Sequence, residues 1–500
     1  MQNEETAGVP QGSPAVVFGI SWDARRASEG CSAQAQEVIM NAGNGGAMES
    51  YDVVAVGGGP GGYAAALRAA LGGLKAAVIE KSRPGGTCLN RGCIPTKALI
   101  AAGLTAYRAG RASSVGLADT PGVFSDEGAF RHARKTVETL AAGVEMLLKK
   151  RSVTLITGRA ALKPGGAVEV KTDGAAISLA AKNVIIATGS APLFPKGLEP
   201  DGKVVIGSDE ILEHNAPVGS NVVIIGGGVI GAEFACHYAM TGRSVMVVEM
   251  LERLLPPAPA GVSAELTRAF RKMKIKVLTG RKVAEVKRGD GAVVTLDDGS
   301  TMRADTVICA VGRKPCLDGT EALQLKQNAS RRIAVGGRGK VSEGLYAVGD
   351  AAGEEAMLAH AATHQGIAAV EDILGVELDA KPAPVASVVY THPEAAWVGA
   401  VPGGEKEIRT AAFPFRALGR AHTVGETAGY AALHYFEDKR IAGGEIVGEG
   451  AGEMIGTIAL AIRMGATLDD LAKIPFPHPT FSEAMMEAAL AGIGLPLHAL

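Results

Sequence analysis

The sequence predicts an α/β protein built from two dinucleotide-binding βαβ units followed by a C-terminal α+β domain. Three observations carry that prediction. Residues 51–80 read as strand, Gly-rich turn, helix and strand: "YDVVAV", "GGGPGG", "YAAALRAALGG" and "KAAVIE". The same order returns in "NVVIIGGGVIGAEFACHYAMTGRSVMVVE", which ends at Glu249. Beyond residue 385 the texture changes to alternating apolar strands and two helices, without a nucleotide fingerprint.

Each βαβ unit puts three glycines where a pyrophosphate needs them. Gly57 makes the tight turn, Gly59 lets the backbone approach the phosphates and Gly62 lets the helix pack closely; Gly226, Gly228 and Gly231 repeat the pattern. Glu80 and Glu249 end the second strands, where a carboxylate accepts hydrogen bonds from a ribose. A GxGxxG alone is weak in a chain with 67 glycines, but here strand, helix and terminal acid all stand where the mechanism requires. The short β segments "NVIIATGSAP" (183–192) and "TVICAVGRKP" (306–315) both run into Gly turns. A further strand, "GLYAVGD", finishes at Asp350 before a helical stretch, 356–374, whose small residues suit close packing against a ligand.

Composition narrows the function class. A chain of 500 residues exceeds what one core serves, so several domains are expected. Fifty basic and 52 acidic residues leave a formal charge of −2, with no basic run, which excludes an electrostatic footprint for nucleic acid or anionic membrane. No apolar run reaches the ~18 residues that cross a bilayer, and no signal-peptide pattern is present, so a cytoplasmic location is expected. Residues 1–47 show no periodicity and are expected to be disordered. Glu4 and Glu5 argue against a transit peptide there, and Met48 is an alternative start.

Six cysteines, at 31, 88, 93, 236, 309 and 316, are too few and too irregular for a secreted disulfide framework. The close pair Cys88 and Cys93 in "GGTCLNRGCIPTK" therefore needs its own explanation. On a regular helix, residues five apart diverge by about 140° at ~100° per residue, so a bridge between them requires a distorted segment. Gly92 and Pro95 supply that distortion. Two inert buried thiols, or half a zinc site, are the other readings. The pair follows the first nucleotide unit directly, beside whatever redox-active ring that nucleotide carries, and zinc lacks its other two ligands. Cys236, Cys309 and Cys316 read as buried fillers or incidental thiols.

With these residues in view, the chain from about Met48 nearly to its end resembles the flavin-linked pyridine nucleotide-disulfide oxidoreductases. The resemblance rests on "GGGPGG" with Glu80, "GGTCLNRGCIPTK", "ATGS", "GGGVIGAEF", "VGRKP", "VGDAAGEEAMLAH", "YTHPEAAWVG" and "HPTFSEAMMEAA". It implies FAD-binding segments at 48–195 and 316–384, an NAD-binding domain at 196–315 and an interface domain at 385–500 that builds a homodimer. It implies that FAD is held by Gly57, Gly59, Gly62, Glu80, Gly86, Thr87, Lys97, Thr188, Gly189, Asp350 and the "MLAH" segment Met357, Leu358, Ala359 and His360, with His360 itself structural. NAD falls to Gly226, Gly228, Gly231, Glu233, Glu249 and Gly312. No metal is expected.

The resemblance further implies that Cys88 exchanges with substrate, that Cys93 faces the flavin and that Lys97, paired with Glu233, approaches the flavin N5 region. His478, stiffened by Pro477 and Pro479, would be the base, and Glu483 would fix its tautomer. That base would serve the disulfide of the other subunit. Within the family, the motifs are most similar to members that oxidise a protein-bound dihydrolipoyl group, carried by an acyltransferase or a glycine-cleavage carrier protein. A reductase of another low-molecular-weight disulfide is the alternative.

NAD is expected over NADP because Glu249 would repel a 2′-phosphate, with Arg253 as the residue that weakens the expectation. No cysteine follows Cys316, which excludes a mercuric-reductase pattern, and Cys88 is present, which excludes the soluble transhydrogenase pattern. Two departures stand out: Arg91, where the family often has valine, and "IPFPHPT" before the histidine. If the Arg91 guanidinium faces the sulfurs, it should lower the thiolate pKa.

Overall fold

The structure is a computed structural model that describes residues 48–116, 123–353, 356–377, 383–403 and 407–498. The expected disorder of 1–47 lies outside the described residues. The first strand, Glu49–Val56, runs parallel between Ala76–Glu80 and Ala176–Ile186, with Val53 opposite both Ala76 and Asn183. All five residues of Ala76–Glu80 are buried, as a continuous apolar run predicts for a strand covered on both faces. Thr154–Thr157 extends one edge, while Leu345–Ala347 and Lys340–Ser342 complete the other. The chain thus returns to its first sheet after the second nucleotide unit.

Pro60 opens the helix Pro60–Leu71, where a missing N–H costs nothing, and its alanines turn inward. The small residues predicted at 356–374 form the helix Ala359–Ile373, which packs on Pro60–Leu71. A Cβ on Gly366 would overlap the carbonyl oxygen of Gly61, so these helices meet backbone to backbone. The smallness serves helix contact.

The second unit centres on a parallel sheet in the order Lys276–Leu278, Ser244–Val248, Asn221–Ile225, Thr306–Cys309, Val205–Ile206. The strands Ser190–Pro192 and Arg313–Pro315 pair antiparallel, so the two Gly turns predicted at 189 and 312 enter one ribbon joining both units. The C-terminal part is a five-stranded antiparallel sheet from Ser387–Val389 to Arg409–Pro414, carrying the helices Ala451–Met464 and Glu483–Gly492. Two short helices, Gly419–Val424 and Leu468–Ala472, join the two expected there.

One apolar core decides how the site is held. Ala98, Leu99 and Ile100, just after the cysteine pair, share it with Phe234, Ala235, Cys236 and Tyr238 of the second nucleotide helix and with Val389, Ala395 and Val447 of the C-terminal sheet. Removing a buried aromatic such as Phe234 from such a core costs about 3–5 kcal/mol. Burial also pushes the Cys236 thiol up to about 12 and Cys309 to about 11, so both stay protonated, as expected of inert fillers.

Candidate active site

Both nucleotide turns are built by the same local physics. Gly57 and Gly226 adopt φ of 109° and 105°, which side chains rarely tolerate, and a Cβ at Gly62 or Gly231 would overlap the carbonyl oxygen of Gly57 or Gly226. Gly58 N donates to Glu80 Oε2 at 2.7 Å, and Gly227 N donates to Glu249 Oε2 at 2.6 Å. Glu80 Oε1 also accepts from Ser82 N, and Glu249 Oε1 from Leu251 N. Each acid is therefore fixed at the turn before any ligand arrives. Arg253 donates to the carbonyl of Pro256 at 3.0 Å, within its own loop.

The two turns present backbone rather than side chains, the first with Gly86 standing close by and the second open. A Cβ on Gly59 would meet nothing nearer than Gly86 Cα at 3.8 Å, and one on Gly228 would meet nothing within 4 Å. Together with the helix N-termini Pro60–Leu71 and Val229–Met240, these cradles fit the pyrophosphates of FAD and of NAD.

Directly after the first unit, the chain forms two helices, Gly86–Arg91 and Cys93–Ala109, broken at Gly92 with φ −140° and ψ −110°. A Cβ there would lie 2.9 Å from Thr87 O and 3.2 Å from Cys88 Cα, so only glycine lets the second helix fold back so closely. The break brings the Cα atoms of Cys88 and Cys93 to 4.7 Å, and the two form a disulfide. Pro95 sits in the first turn of the second helix, where its missing N–H is harmless, and Thr96 closes the turn onto Gly92 O. The inert-thiol and zinc readings fall with the bond.

One turn on, Lys97 Nζ lies 2.9 Å from both oxygens of Glu233, which is 3% exposed and rises from the second nucleotide helix. Glu233, grouped by resemblance with the NAD residues, spends its carboxylate on Lys97 and on Tyr390 N. Asp350 accepts from Ser190 Oγ, and Arg313 donates to Ser190 Oγ at 2.7 Å and Ser190 O at 2.8 Å. Thr188 is tied to Cys316 O, and His360 Nε2 lies 2.8 Å from Ala386 O. Ser190 and Arg313 were missed as partners of Asp350. They adjoin Gly189 and Gly312, but only the ribbon reveals the contact.

Arg91 is paired with Glu213 at 3.3 Å and Asp209 at 3.9 Å on the helix Ser208–His214. Its charge is shared with these two carboxylates, which offset the positive field it would otherwise lend its surroundings. Burial holds the Asp209 carboxyl above its ordinary value, although Arg91 opposes this.

His478 Nδ1 lies 2.9 Å from Glu483 Oε1, while Glu483 Oε2 accepts from Thr480 N at 2.8 Å. Glu483 begins the helix Glu483–Gly492, where the helix dipole favours an anion. The His478 side chain is 76% exposed, and its Nε2 has no partner among the described residues. The imidazole thus has one nitrogen oriented by Glu483 and the other open to solvent.

A disulfide at a helix break beside the first of two nucleotide turns defines a class, and the chain belongs to it: residues 51–366 match the pyridine nucleotide-disulphide oxidoreductase family, and 385–489 match that family's dimerisation domain. The family works with FAD and NAD. The chain is similar to the dihydrolipoyl dehydrogenases of Bacillus subtilis, 37% identical over 90% of this chain and 99% of that one, and of Thermus scotoductus, 38% identical over 89% and 98%. Among solved structures it is similar to LpdA of Mycobacterium tuberculosis, with a TM-score of 0.82 and 27% identity over 89% of this chain and 99% of that one. No helix among the described residues is long and apolar enough to cross a membrane.

Proposed function

We propose that the chain oxidises protein-bound dihydrolipoamide to lipoamide, using the Cys88–Cys93 disulfide with FAD and NAD. The observation that carries this reading is that disulfide, formed at a helix break and adjoining the first nucleotide turn. The name borne by the relatives agrees with it. Gly57, Gly59, Gly62, Glu80, Gly86, Thr87, Lys97, Thr188, Gly189, Asp350 and residues 357–360 would hold FAD; Gly226, Gly228, Gly231, Glu249 and Gly312 would hold NAD. Bound FAD supplies the two-electron oxidation of the enzyme dithiol, and NAD accepts the resulting hydride.

The chain's own residues carry the thiol exchange. His478 takes a proton at Nε2 from one substrate thiol, because the thiolate is the nucleophile. That thiolate attacks Cys88 Sγ, the Cys88–Cys93 bond breaks, and Cys93 leaves as a thiolate. The second substrate thiol loses its proton to solvent and displaces Cys88, which takes back the proton held at His478 Nε2, so substrate leaves as a disulfide and the enzyme keeps the electron pair as a Cys88 thiol and a Cys93 thiolate. Glu483 holds the imidazole in the tautomer that leaves Nε2 free to accept.

The exposure of His478 supports its service to the disulfide of a second copy, joined through the dimerisation domain. Leu460 and Met464, one turn apart on the helix Ala451–Met464, are 62% and 73% exposed and suit such an interface. The protein partner in this reading is a lipoyl-bearing acyltransferase or a glycine-cleavage carrier, met in the cytoplasm. The test is spectroscopic and kinetic. The purified protein should show a flavin spectrum and reduce NAD when dihydrolipoamide is added, and His478→Gln should retain flavin while losing that reaction. Reduction of glutathione or coenzyme A disulfides in preference to lipoamide would overturn the substrate.

A further inference from the structure

We infer that Tyr390 is a positioning residue for Lys97, an inference that rests on the reading of Lys97 as the flavin's neighbour. Tyr390 touches both members of the Lys97–Glu233 pair, with contacts of opposite sign. Its backbone N–H donates to Glu233 Oε1 at 3.0 Å, and its ring face lies 4.9 Å from Lys97 Nζ. An ammonium has three donors. Two are taken by the oxygens of Glu233, both at 2.9 Å, and the electron-rich ring face covers a further side. The ammonium is thereby confined, and its remaining freedom lies away from Tyr390 and Glu233.

The ring is itself held from two directions. Cys236, one turn beyond Glu233 on the same helix, accepts from His392 N at 3.0 Å, so residues 390–392 are pinned to the second nucleotide helix twice. On the other side, the first turn of the helix Ala451–Met464 approaches so closely that a Cβ at Gly452 would lie 3.6 Å from Tyr390 Cε1. Tyr390 thus fills the joint between the second nucleotide unit and the dimerisation domain, and it places a charge that sits on the disulfide helix. Its amide would survive any substitution, whereas the ring is removable. That separation makes the inference testable.

The experiment is the equilibrium reduction of the bound flavin by NADH in the full-length holoenzyme carrying Cys88→Ser and Cys93→Ser in every variant, so that electrons stop at the flavin instead of passing to the disulfide, with FAD content and dimer mass as controls. Tyr390→Phe keeps the ring face and should leave the equilibrium constant within about twofold of the parent. Tyr390→Leu should make reduction less favourable by roughly two- to thirtyfold, the range a cation–π contact spans, because a positive charge beside the flavin stabilises its reduced form. If the leucine variant loses FAD, Tyr390→Met, of similar length without a ring, is read the same way. Lys97→Met separates the two layers of argument. If it leaves the equilibrium unmoved, the placement of Lys97 beside the flavin is wrong. If it shifts the equilibrium and the ring-less Tyr390 variants do not, only the inference about Tyr390 is overturned. In a Lys97→Met background, Tyr390→Leu should add nothing, and an undiminished further shift there would also overturn it.

Discussion

The first and second nucleotide turns share their bonds and differ in what stands over them. Gly85 N donates to Gly58 O at 2.7 Å in one, and Leu255 N to Gly227 O at 2.8 Å in the other, on top of the matching glycine–glutamate contacts. The first turn is then roofed: a Cβ on Gly86 would lie 2.5 Å from Gly59 Cα, and the cysteine helices follow at once. Above Gly228 there is open space. A roofed cradle suits a resident group and an open one suits a group that must come and go, as the proposed placement of FAD in the first turn and NAD in the second requires. The helices diverge as well. Seven residues past the first glycine stands Ala64 in one and the buried Glu233 in the other, and only the second sends a charge to the disulfide helix.

The largest expected effect comes from filling the inner corner of each turn. Gly62→Ala and Gly231→Ala both force a methyl group into a carbonyl oxygen, beyond the roughly 1–3 kcal/mol typical of overpacking. The first should yield protein without FAD, and the second should yield yellow protein that no longer binds NAD, measured by absorbance and by calorimetry. Retention of FAD by Gly62→Ala would break the assignment of the first turn.

Smaller, and sharper, is the test of the roof. Gly86→Ala combines a φ of 58° with the Gly59 contact and should lower FAD retention under mild chaotrope, read by flavin fluorescence. Gly228→Ala meets no protein atom and should leave the melting temperature within about 2 °C while weakening NAD binding severalfold. Equal losses of FAD in both variants would erase the distinction.

Next comes the acid at each strand end. Glu249→Gln removes the charge that repels a 2′-phosphate and should shift the NAD:NADP preference toward NADP by about tenfold in kcat/KM, near one elementary step of 1.4 kcal/mol. An unchanged ratio would place specificity elsewhere.

The smallest effect concerns the second helix alone. Burial raises the Cys236 thiol to about 12 from an ordinary 9.0, so the folded state disfavours the thiolate. Its contribution to stability is complete below pH 9 and is lost as pH rises from there toward 12. Urea unfolding should therefore give a free energy that declines between pH 8.5 and about 10, and Cys236→Ala should flatten that decline. The matching position in the first unit is Leu67, which does not titrate.

Much of this site was legible before any coordinates because its rules are local. Glycine spacing reports a turn that side chains would block, a terminal glutamate reports a ribose, and Cys88, Gly92 and Cys93 report a broken helix, each signal confined to fewer than 25 residues of chain. Proline on both sides of His478 and a carboxylate five residues on likewise form one short loop. What stayed hidden depends on chain segments far apart. Ser190 reaches Asp350 across 160 residues, Arg91 turns to Glu213 across 122, and Tyr390 meets Glu233 across 157.

By itself, then, the sequence determined the two turns and put the cysteine pair and the histidine and glutamate within bonding reach, because steric exclusion and short hydrogen bonds act between near neighbours along the chain. Only the tertiary structure decided which carboxylates pair with Arg91 and Lys97, what roofs one turn and leaves the other open, and which ring caps Lys97. Those outcomes follow from how sheets and helices pack once formed, and packing sums many weak contacts that no short stretch of chain contains.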